Sequence, residues 1–173
     1  DTSTKPTPSV TPASTPKIEE KIPSYSSQGK WSDSVAETFD SGNGSKENPY
    51  VIKTASELAL LAKNVNKGES YKDAYFKLNN NIDLTEKYWS SIGNAEDKAF
   101  SGHFNGNGYE VKLNTENQKV SGLFGYTANA EITLLGVDGL VSGEDIGGGI
   151  VSIARDTKIE NCYSNTVVLA DVS

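Results

Sequence analysis

The pattern of hydrophobic and polar positions divides the chain into three parts. Residues 1–28 alternate Thr, Ser and Pro and carry few large apolar side chains, so burial cannot offset the entropy of ordering them and they are predicted to form an extended linker or stalk. Over 55–66 the apolar positions follow a helical period, whereas from Tyr75 onward they fall in short β-type segments separated by turn residues. We therefore expect an N-terminal cap with one helix over 29–74 and a β region over 75–173.

The helix prediction rests on the ends of the segment as well as on its apolar face. Thr54 and Glu57 have the spacing of a capping box, in which each side chain accepts the backbone N–H of the other residue. Gly68 lies just past the apolar face and supplies a left-handed stop. An amphipathic helix at this place would cover the first β segments. Its apolar positions fall at i, i+3, i+4 and i+7, namely Leu58, Leu61, Ala62 and Val65.

A sequence repeat organises the β region. Residues 122–137 read GLFGYTANAEITLLGV, and the same arrangement returns at 149–164 as GIVSIARDTKIENCYS, with a constant 27-residue offset. Such a unit suits one coil of a parallel β-solenoid, which is stable only when the next coil stacks on it. The predicted fold is all-β, a parallel β-helix with an N-terminal capping α-helix. The predicted stacked pairs, some of them inward and apolar, are Leu123 with Ile150, Phe124 with Val151, Glu131 with Lys158, Ile132 with Ile159, Leu135 with Cys162, and Val141 with Val168.

An antiparallel β-sandwich with one helix is the alternative fold. Short strands with turn residues every 8 to 12 positions also occur in that class. The constant offset between the two repeats favours stacking.

Composition limits the classes of function. The formal net charge of −7 leaves no basic stripe to displace counterions from phosphates, so a nucleic-acid partner is not expected. No apolar run approaches the roughly 20 residues that cross a bilayer, so no membrane span is expected. Cys162 is the single cysteine, and its apolar repeat position predicts a buried small hydrophobe rather than a reactive thiol.

The titratable residues do not form a recognisable catalytic motif. His103 is the single histidine, whereas a zinc peptidase of the His-Glu-x-x-His type needs two. The residues of FNGNGYE after it carry too little charge for a strong calcium site and predict a tight turn at 105–108. Asp138, Glu144 and Asp145 lie close in sequence, but no pattern indicates the groove that glycoside hydrolysis needs. We expect no catalytic residue, no metal and no cofactor in this segment.

Aromatic side chains supply the candidate ligand contacts. Tyr71, Tyr88 and Trp89 lie near the predicted cap and first coils, where aromatic rings serve as platforms for sugars or as packing groups. Trp89 is the one of the three for which packing is the favoured interpretation, because it precedes the apolar corner at Ile92.

Several motifs in a fixed order resemble the bacterial surface proteins that carry GLUG-motif repeats. Residues 122–125, GLFG, match the tetrapeptide that opens each coil in that family, and 149–152, GIVS, lack its last glycine. Residues 81–84, NIDL, and 105–108, NGNG, match two further elements but have Asn where the family has an acidic residue. The resemblance covers 48–173.

This resemblance implies a right-handed parallel β-helix on a Gram-positive or related cell surface. Such repeats occur in proteins described as adhesins and beside metallopeptidases that cleave immunoglobulin A. We expect a non-enzymatic adhesion or display module, extracellular and either attached or secreted, that binds a host or matrix protein or a neutral glycan. An accessory substrate-binding part of a larger secreted enzyme is the alternative. The exposed edge of the last repeat is expected to self-associate or to fray over 165–172.

Overall fold

Parallel sheets dominate the computed structural model, which describes residues 22–170. Over these residues the fold is mainly β with one α-helix, in agreement with the predicted all-β class. The same residues include two short 3-10 turns, at Trp31–Asp33 and Glu96–Lys98. The helix α1 spans Ala55–Asn66, and the strands are β1 Tyr50–Ile52, β2 Tyr75–Leu78, β3 Ile82–Asp83, β4 His103–Asn105, β5 Glu110–Asn114, β6 Gln118–Ser121, β7 Phe124–Ala128, β8 Glu131–Thr133, β9 Gly136–Gly147, β10 Val151–Arg155, β11 Lys158–Glu160 and β12 Tyr163–Ala170.

Within the described part of the chain the strands form three sheets, in which most neighbouring strands are not consecutive in the sequence. One sheet has the order β1-β2-β4-β8-β11, a second β12-β9-β5-β3 with β6 also paired to β9, and a third β10-β7. Every pair of named strands within residues 22–170 is parallel. The antiparallel β-sandwich alternative is therefore wrong, because a sandwich of that class needs antiparallel neighbours.

The strand register reproduces the offset of the sequence repeat. Ile132 pairs with Ile159, and Glu131 with Lys158, between β8 and β11. Val141 pairs with Val168 between β9 and β12. Within the GLFG motif, the Phe124 N–H donates to the Ile150 carbonyl at 2.9 Å, and Phe124 is the register partner of Val151. The predicted stacking of these repeat equivalents is confirmed.

Burial of the equivalent positions differs between the two repeats. Ile132 is fully buried, whereas Ile159 is 42% exposed on β11, the last strand of its sheet. Cys162 was expected to be buried and is half-buried, and desolvation raises the pKa of its thiol. Within residues 22–170, no strand covers the inward positions of β11, whereas β11 itself covers the equivalent positions of β8.

Two corners of the repeat have the same backbone conformation in successive units. Asn107, Leu134 and Asn161 occupy one corner in three consecutive units and have φ of 54°, 52° and 53°. Asn tolerates this left-handed region because its short side chain bonds locally, but Leu does not. Asn129 and Asp156 form the second corner, with φ of 54° and 45°. The sequence repeat is therefore a repeat of backbone geometry even where the side chains differ.

The glycines that open the unit allow neighbouring backbones to approach. A Cβ on Gly125 would clash with the Gly93 carbonyl, so a side chain does not fit there without a backbone shift. Ser152 occupies the equivalent position in the next unit, and its Oγ donates to the Ser121 carbonyl at 2.7 Å.

The predicted helix is observed with its capping box. Thr54 Oγ1 accepts the Glu57 N–H, and Glu57 Oε2 accepts the Thr54 N–H at 2.9 Å. Asn66 ties the other end to the β region, since its Nδ2 donates to the Ser91 carbonyl at 3.0 Å and its Oδ1 accepts the Gly93 N–H at 3.0 Å. The buried face of α1 packs in the same core cluster as the β strands.

The predicted linker falls mostly outside the described residues, which begin at Ile22. Residues 22–28 have no regular secondary structure but contact the β region. Ser27 Oγ donates to the Thr85 carbonyl at 2.8 Å and accepts from Asn114 Nδ2 at 2.6 Å. The segment just before residue 29 is therefore in contact with the β region.

Candidate functional site

The three predicted aromatic contacts lie in different places. Tyr71 is half-buried, and its hydroxyl accepts from Asn64 Nδ2 at 2.8 Å. Its ring meets Phe76 edge to face, with centroids 4.9 Å apart. Burial raises the pKa of the Tyr71 hydroxyl. Its contacts are those of a packing residue that joins the end of α1 to β2.

Tyr88 borders a separate, open cleft of about 370 Å³ between residues 23–25 and 114–117. It is half-buried, and its backbone N–H donates to the Gly29 carbonyl at 3.0 Å. The cleft wall that faces it comes from the 22–28 segment. Tyr88 and Tyr71 therefore do not form one surface.

Trp89 is a core residue, 1% exposed. Its indole Nε1 donates to the Leu123 carbonyl at 3.1 Å, which ties it to the GLFG motif. The structure thus gives Trp89 the packing role that its sequence position favoured, although it also borders a cavity.

That cavity, the helix cleft, lies between α1, the Trp31–Asp33 turn and the segment 89–94, and has a volume of about 260 Å³. The indoles of Trp31 and Trp89, together with Ala59 and Ala62 of α1, form its apolar part. Ser, Asn and Lys side chains form the rest. The Trp31 Nε1 donates to the Leu84 carbonyl at 2.9 Å, so both indole N–H groups are used within the protein. Its lining residues are Trp31, Ser32, Ala59, Ala62, Lys63, Asn66, Lys67, Trp89, Ser90 and Asn94.

The helix cleft differs in charge from the protein as a whole. Lys63 and Lys67 contribute two ammonium groups, and none of the lining residues carries a carboxylate, although the chain has a net charge of −7. Asn66 is already committed, because its side chain bonds Ser91, Gly93 and Asn94. Ser90, Asn94 and the two lysines are the polar groups of the lining that could meet a ligand.

A row of outward side chains crosses the sheet that contains β2, β4, β8 and β11. The rings of Tyr75 and His103 stack with centroids 4.1 Å apart, and His103 Nδ1 lies 2.9 Å from Glu131 Oε2. Lys158 Nζ lies 3.4 Å from Glu131 Oε1 and 2.9 Å from Glu160 Oε2. The hydrogen bond from His103, with Lys158 beside it, lowers the pKa of the Glu131 carboxyl.

This row includes the surface pair of Glu131 and Lys158 that the repeat predicted. The sequence repeat did not predict that His103 would lie beside Glu131. The paired positions of β4 and β8 are separated by more residues than the 27-residue offset of the repeat. A groove of about 280 Å³ runs beside the row, between the sheet and residues 46–49.

Two further groups considered for chemistry form a surface ion pair and a turn. Asp138 lies 4.0 Å from Lys112 Nζ, a surface pair. In the NGNG segment, Asn105 Oδ1 accepts the Asn107 N–H at 2.7 Å, and Gly108 has φ of +81°. Over residues 22–170, no three His, Cys, Asp or Glu side chains are grouped as metal ligands would be.

Comparison with known proteins finds a distant relative. A protein of Evansella cellulosilytica named "Putative Gly-rich membrane protein" is 34% identical over 138 residues, which cover 75% of this chain and 14% of that protein. The chain thus spans about 14% of the length of the curated relative that it matches. No family model and no solved structure matches. Among the residues that the structure describes, no helix has the length and apolar character to cross a membrane.

Proposed function

We propose that this chain is a non-catalytic binding and display module of a bacterial cell surface, folded as a right-handed parallel β-helix with a capping helix. The module presents the helix cleft and its sheet faces to a neutral glycan or to a host or matrix protein. The observation that carries the proposal is the helix cleft, in which an apolar floor that includes two indoles adjoins uncommitted polar side chains.

The β-helix part of the proposal is supported by the strand register. Parallel pairs between strands of successive units recur from β1 to β12, and each unit from β2 onward contributes one strand to each of the two main sheet paths. A stack of such units gains surface area with every repeat and keeps its shape, which suits display.

Two lines of support concern location. The ordered motifs of residues 48–173 resemble surface proteins with GLUG repeats. The relative from Evansella cellulosilytica carries the words "membrane protein" in its name. Both favour the cell envelope over the cytoplasm.

The helix cleft offers neutral hydrogen-bonding groups beside its two lysines, and these neutral groups suit a sugar. Its volume of about 260 Å³ suits one sugar ring or one protein side chain. A sugar places its C–H groups against apolar surface, of which the cleft offers part of the Trp31 indole, 8% exposed, and its hydroxyls against neutral donors and acceptors. Ser90 and Asn94 offer those polar groups at the edge of the cleft.

An array of neutral glycans and matrix proteins, followed by calorimetric titration, tests the proposal. The double variant Ser90→Ala with Asn94→Ala should weaken binding by about 5-fold to 150-fold, because two hydrogen bonds contribute about 1 to 3 kcal/mol together. Asn165→Ala on exposed β12 is the matched control and should bind as the wild type does. Unchanged affinity of the double variant would place the ligand elsewhere.

The non-catalytic part is tested separately, by turnover assays on host and plant polysaccharides. We expect no chain cleavage. Cleavage that a single carboxylate substitution abolishes would overturn this part of the proposal.

A second function, an accessory substrate-binding part of a larger enzyme, is favoured by one observation. The matched region is only 14% of the relative from Evansella cellulosilytica, which leaves room for other domains in that protein. A catalytic motif in the gene that encodes this chain would support this function, whereas a cell-wall anchor would support display.

A further inference from the structure

The outward face of strands β2, β4 and β8 borders a groove that the helix cleft does not share. The sheet groove is the cavity of about 280 Å³ between this face and residues 46–49. Strand register aligns the outward positions in two columns, and both columns line the groove. The first column consists of Tyr75, His103 and Glu131, and the second of Lys77, Asn105 and Thr133.

The wall opposite the columns is held in place by backbone hydrogen bonds. The Asn43 N–H donates to the Asn48 carbonyl at 3.0 Å, which closes the turn that carries Lys46. The Tyr75 N–H donates to the Gly44 carbonyl at 2.9 Å, which anchors this turn on β2. Because both sides are fixed to the same strand, a ligand does not have to order the groove before binding.

Two ammonium groups of the sheet groove are available to a ligand. Lys46 and Lys77 have no ion-pair partner among the described residues. Asn105 Nδ2 and the Thr133 hydroxyl likewise make no hydrogen bond within residues 22–170. All four groups can donate hydrogen bonds and two are cationic, a set that complements an anion.

The carboxylate of the lining does not cancel this preference. Glu131 Oε2 lies 2.9 Å from His103 Nδ1, and Glu131 Oε1 lies 3.4 Å from Lys158 Nζ. Its charge is therefore already offset by neighbours on the sheet, whereas the charges of the two groove lysines are not.

The apolar part of the sheet groove suits a sugar ring. One face of the Tyr75 ring is covered by the His103 ring, at a centroid distance of 4.1 Å and an interplanar angle of 5°. The other face is directed away from β4, toward the side of the sheet on which Pro49 lines the groove. Aromatic faces accept the C–H groups of a sugar, and the volume of the groove matches one ring.

A peptide strand has no free edge to pair with at this place. Strands β2, β4 and β8 are internal to their sheet. The outer edge of β1 is occupied, because the Val51 N–H donates to the Ser41 carbonyl at 2.9 Å and the Val51 carbonyl accepts the Asp40 N–H at 3.1 Å. Addition of an extended peptide to the sheet is therefore blocked beside the groove.

We propose that the sheet groove binds a carboxylated sugar residue of an anionic glycan, with the sugar ring against Tyr75 and its carboxylate paired with Lys46 and Lys77. The helix cleft also has two lysines, Lys63 and Lys67, but they lie at the C-terminal end of α1, where the helix carbonyls carry partial negative charge. This inference goes beyond the proposed function, because it concerns a second site and a ligand of different charge.

Tetrasaccharides of glucuronate, galacturonate, mannuronate and guluronate, each beside its methyl ester, test the inference by calorimetric titration of the full chain. At least one acid should bind tenfold or more tightly than its ester, and its affinity should fall as salt is raised. Lys46→Gln with Lys77→Gln should weaken that binding at least tenfold. Lys72→Gln with Lys119→Gln removes the same charge from exposed positions outside both cavities and is the matched control, which should bind as the wild type does.

Thermal unfolding of each variant shows whether it is folded before it is titrated. Absence of binding by all four acids would overturn the inference, as would an ester that binds as well as its acid. Loss of binding in Lys63→Gln with Lys67→Gln, but not in the groove variant, would place the acidic sugar in the helix cleft. Hexaglutamate that binds as tightly as the best tetrasaccharide through Lys46 and Lys77 would overturn the sugar class.

Discussion

The two ends of the sheet that runs from β1 to β11 place the same type of residue in opposite environments. Ile52 on edge strand β1 is fully buried, and Ile159 on edge strand β11 is 42% exposed. At the β1 end, Leu58, Leu61 and Val65 of α1 pack in one core cluster with Ile52. Burial at an edge strand therefore depends on the layer beyond it. A helix supplies that layer at one end, and the described part of the chain supplies none at the other.

The largest effect on stability should come from placing a charge at the buried position Ile132, compared with the same change at the exposed position Ile159. Ile132→Asp buries an unpaired carboxylate, which costs several kcal/mol against a total stability of about 5 to 15 kcal/mol, and should unfold the protein. Ile159→Asp, at the equivalent but half-exposed position, should lower stability much less. Urea denaturation of the two monomeric variants measures the contrast, and equal losses would mean that the open end is covered in solution.

The second prediction compares apolar truncation at the covered and open ends. Leu58→Ala removes a fully buried side chain of α1 and should cost about 2 to 5 kcal/mol. Val168→Ala removes a side chain that is 44% exposed and should cost less than half as much. Thermal unfolding of both variants tests the cap. A small loss for Leu58→Ala would show that the β strands do not need the helix.

The corner residue Leu134 should be a site of stabilisation. It has φ of 52° at a position where Asn107 and Asn161 occupy the preceding and following units, and it is 44% exposed. Leu134→Asn should raise stability by about 1 kcal/mol, because Asn tolerates the left-handed region and little apolar burial is lost. Leu169→Asn, also an exposed leucine but on β12, is the control and should not stabilise. A lower melting temperature for Leu134→Asn would contradict the backbone argument.

The smallest effect concerns Glu131 in the row on the sheet surface. Its pKa is lowered in the folded protein, so its contribution is present above the unfolded value of about 4.3 and is lost as pH falls through the folded pKa. Since both partners are substantially exposed, Glu131→Gln should cost only about 0 to 1 kcal/mol at neutral pH. The difference from wild type should shrink toward zero in strongly acidic solution. A difference that persists there would indicate a packing role for Glu131.

The set of residues that line the helix cleft could not be predicted from the sequence. Trp31 and Asn94 line one cleft although they lie far apart in the sequence, because the 29–31 segment pairs with Tyr88 and α1 packs beside both segments. By contrast, Tyr88 and Trp89 are neighbours in sequence but border different cavities, because successive residues of an extended segment point to opposite faces. The spacing of aromatics along the chain therefore could not define a common surface.

The sequence by itself determined the features that depend on local pattern. The capping box and apolar face located α1, because both depend on residues that lie close together in the sequence. The constant offset of the repeat predicted the register of β8 with β11, because equivalent residues recur at a fixed spacing. Only the tertiary structure decided which repeat equivalents are buried, that the longer spacing between β4 and β8 lets His103 meet Glu131, and that the helix cleft exists. These features depend on which layer covers each strand and on loop lengths between strands, and neither quantity is contained in the periodicity of a single segment.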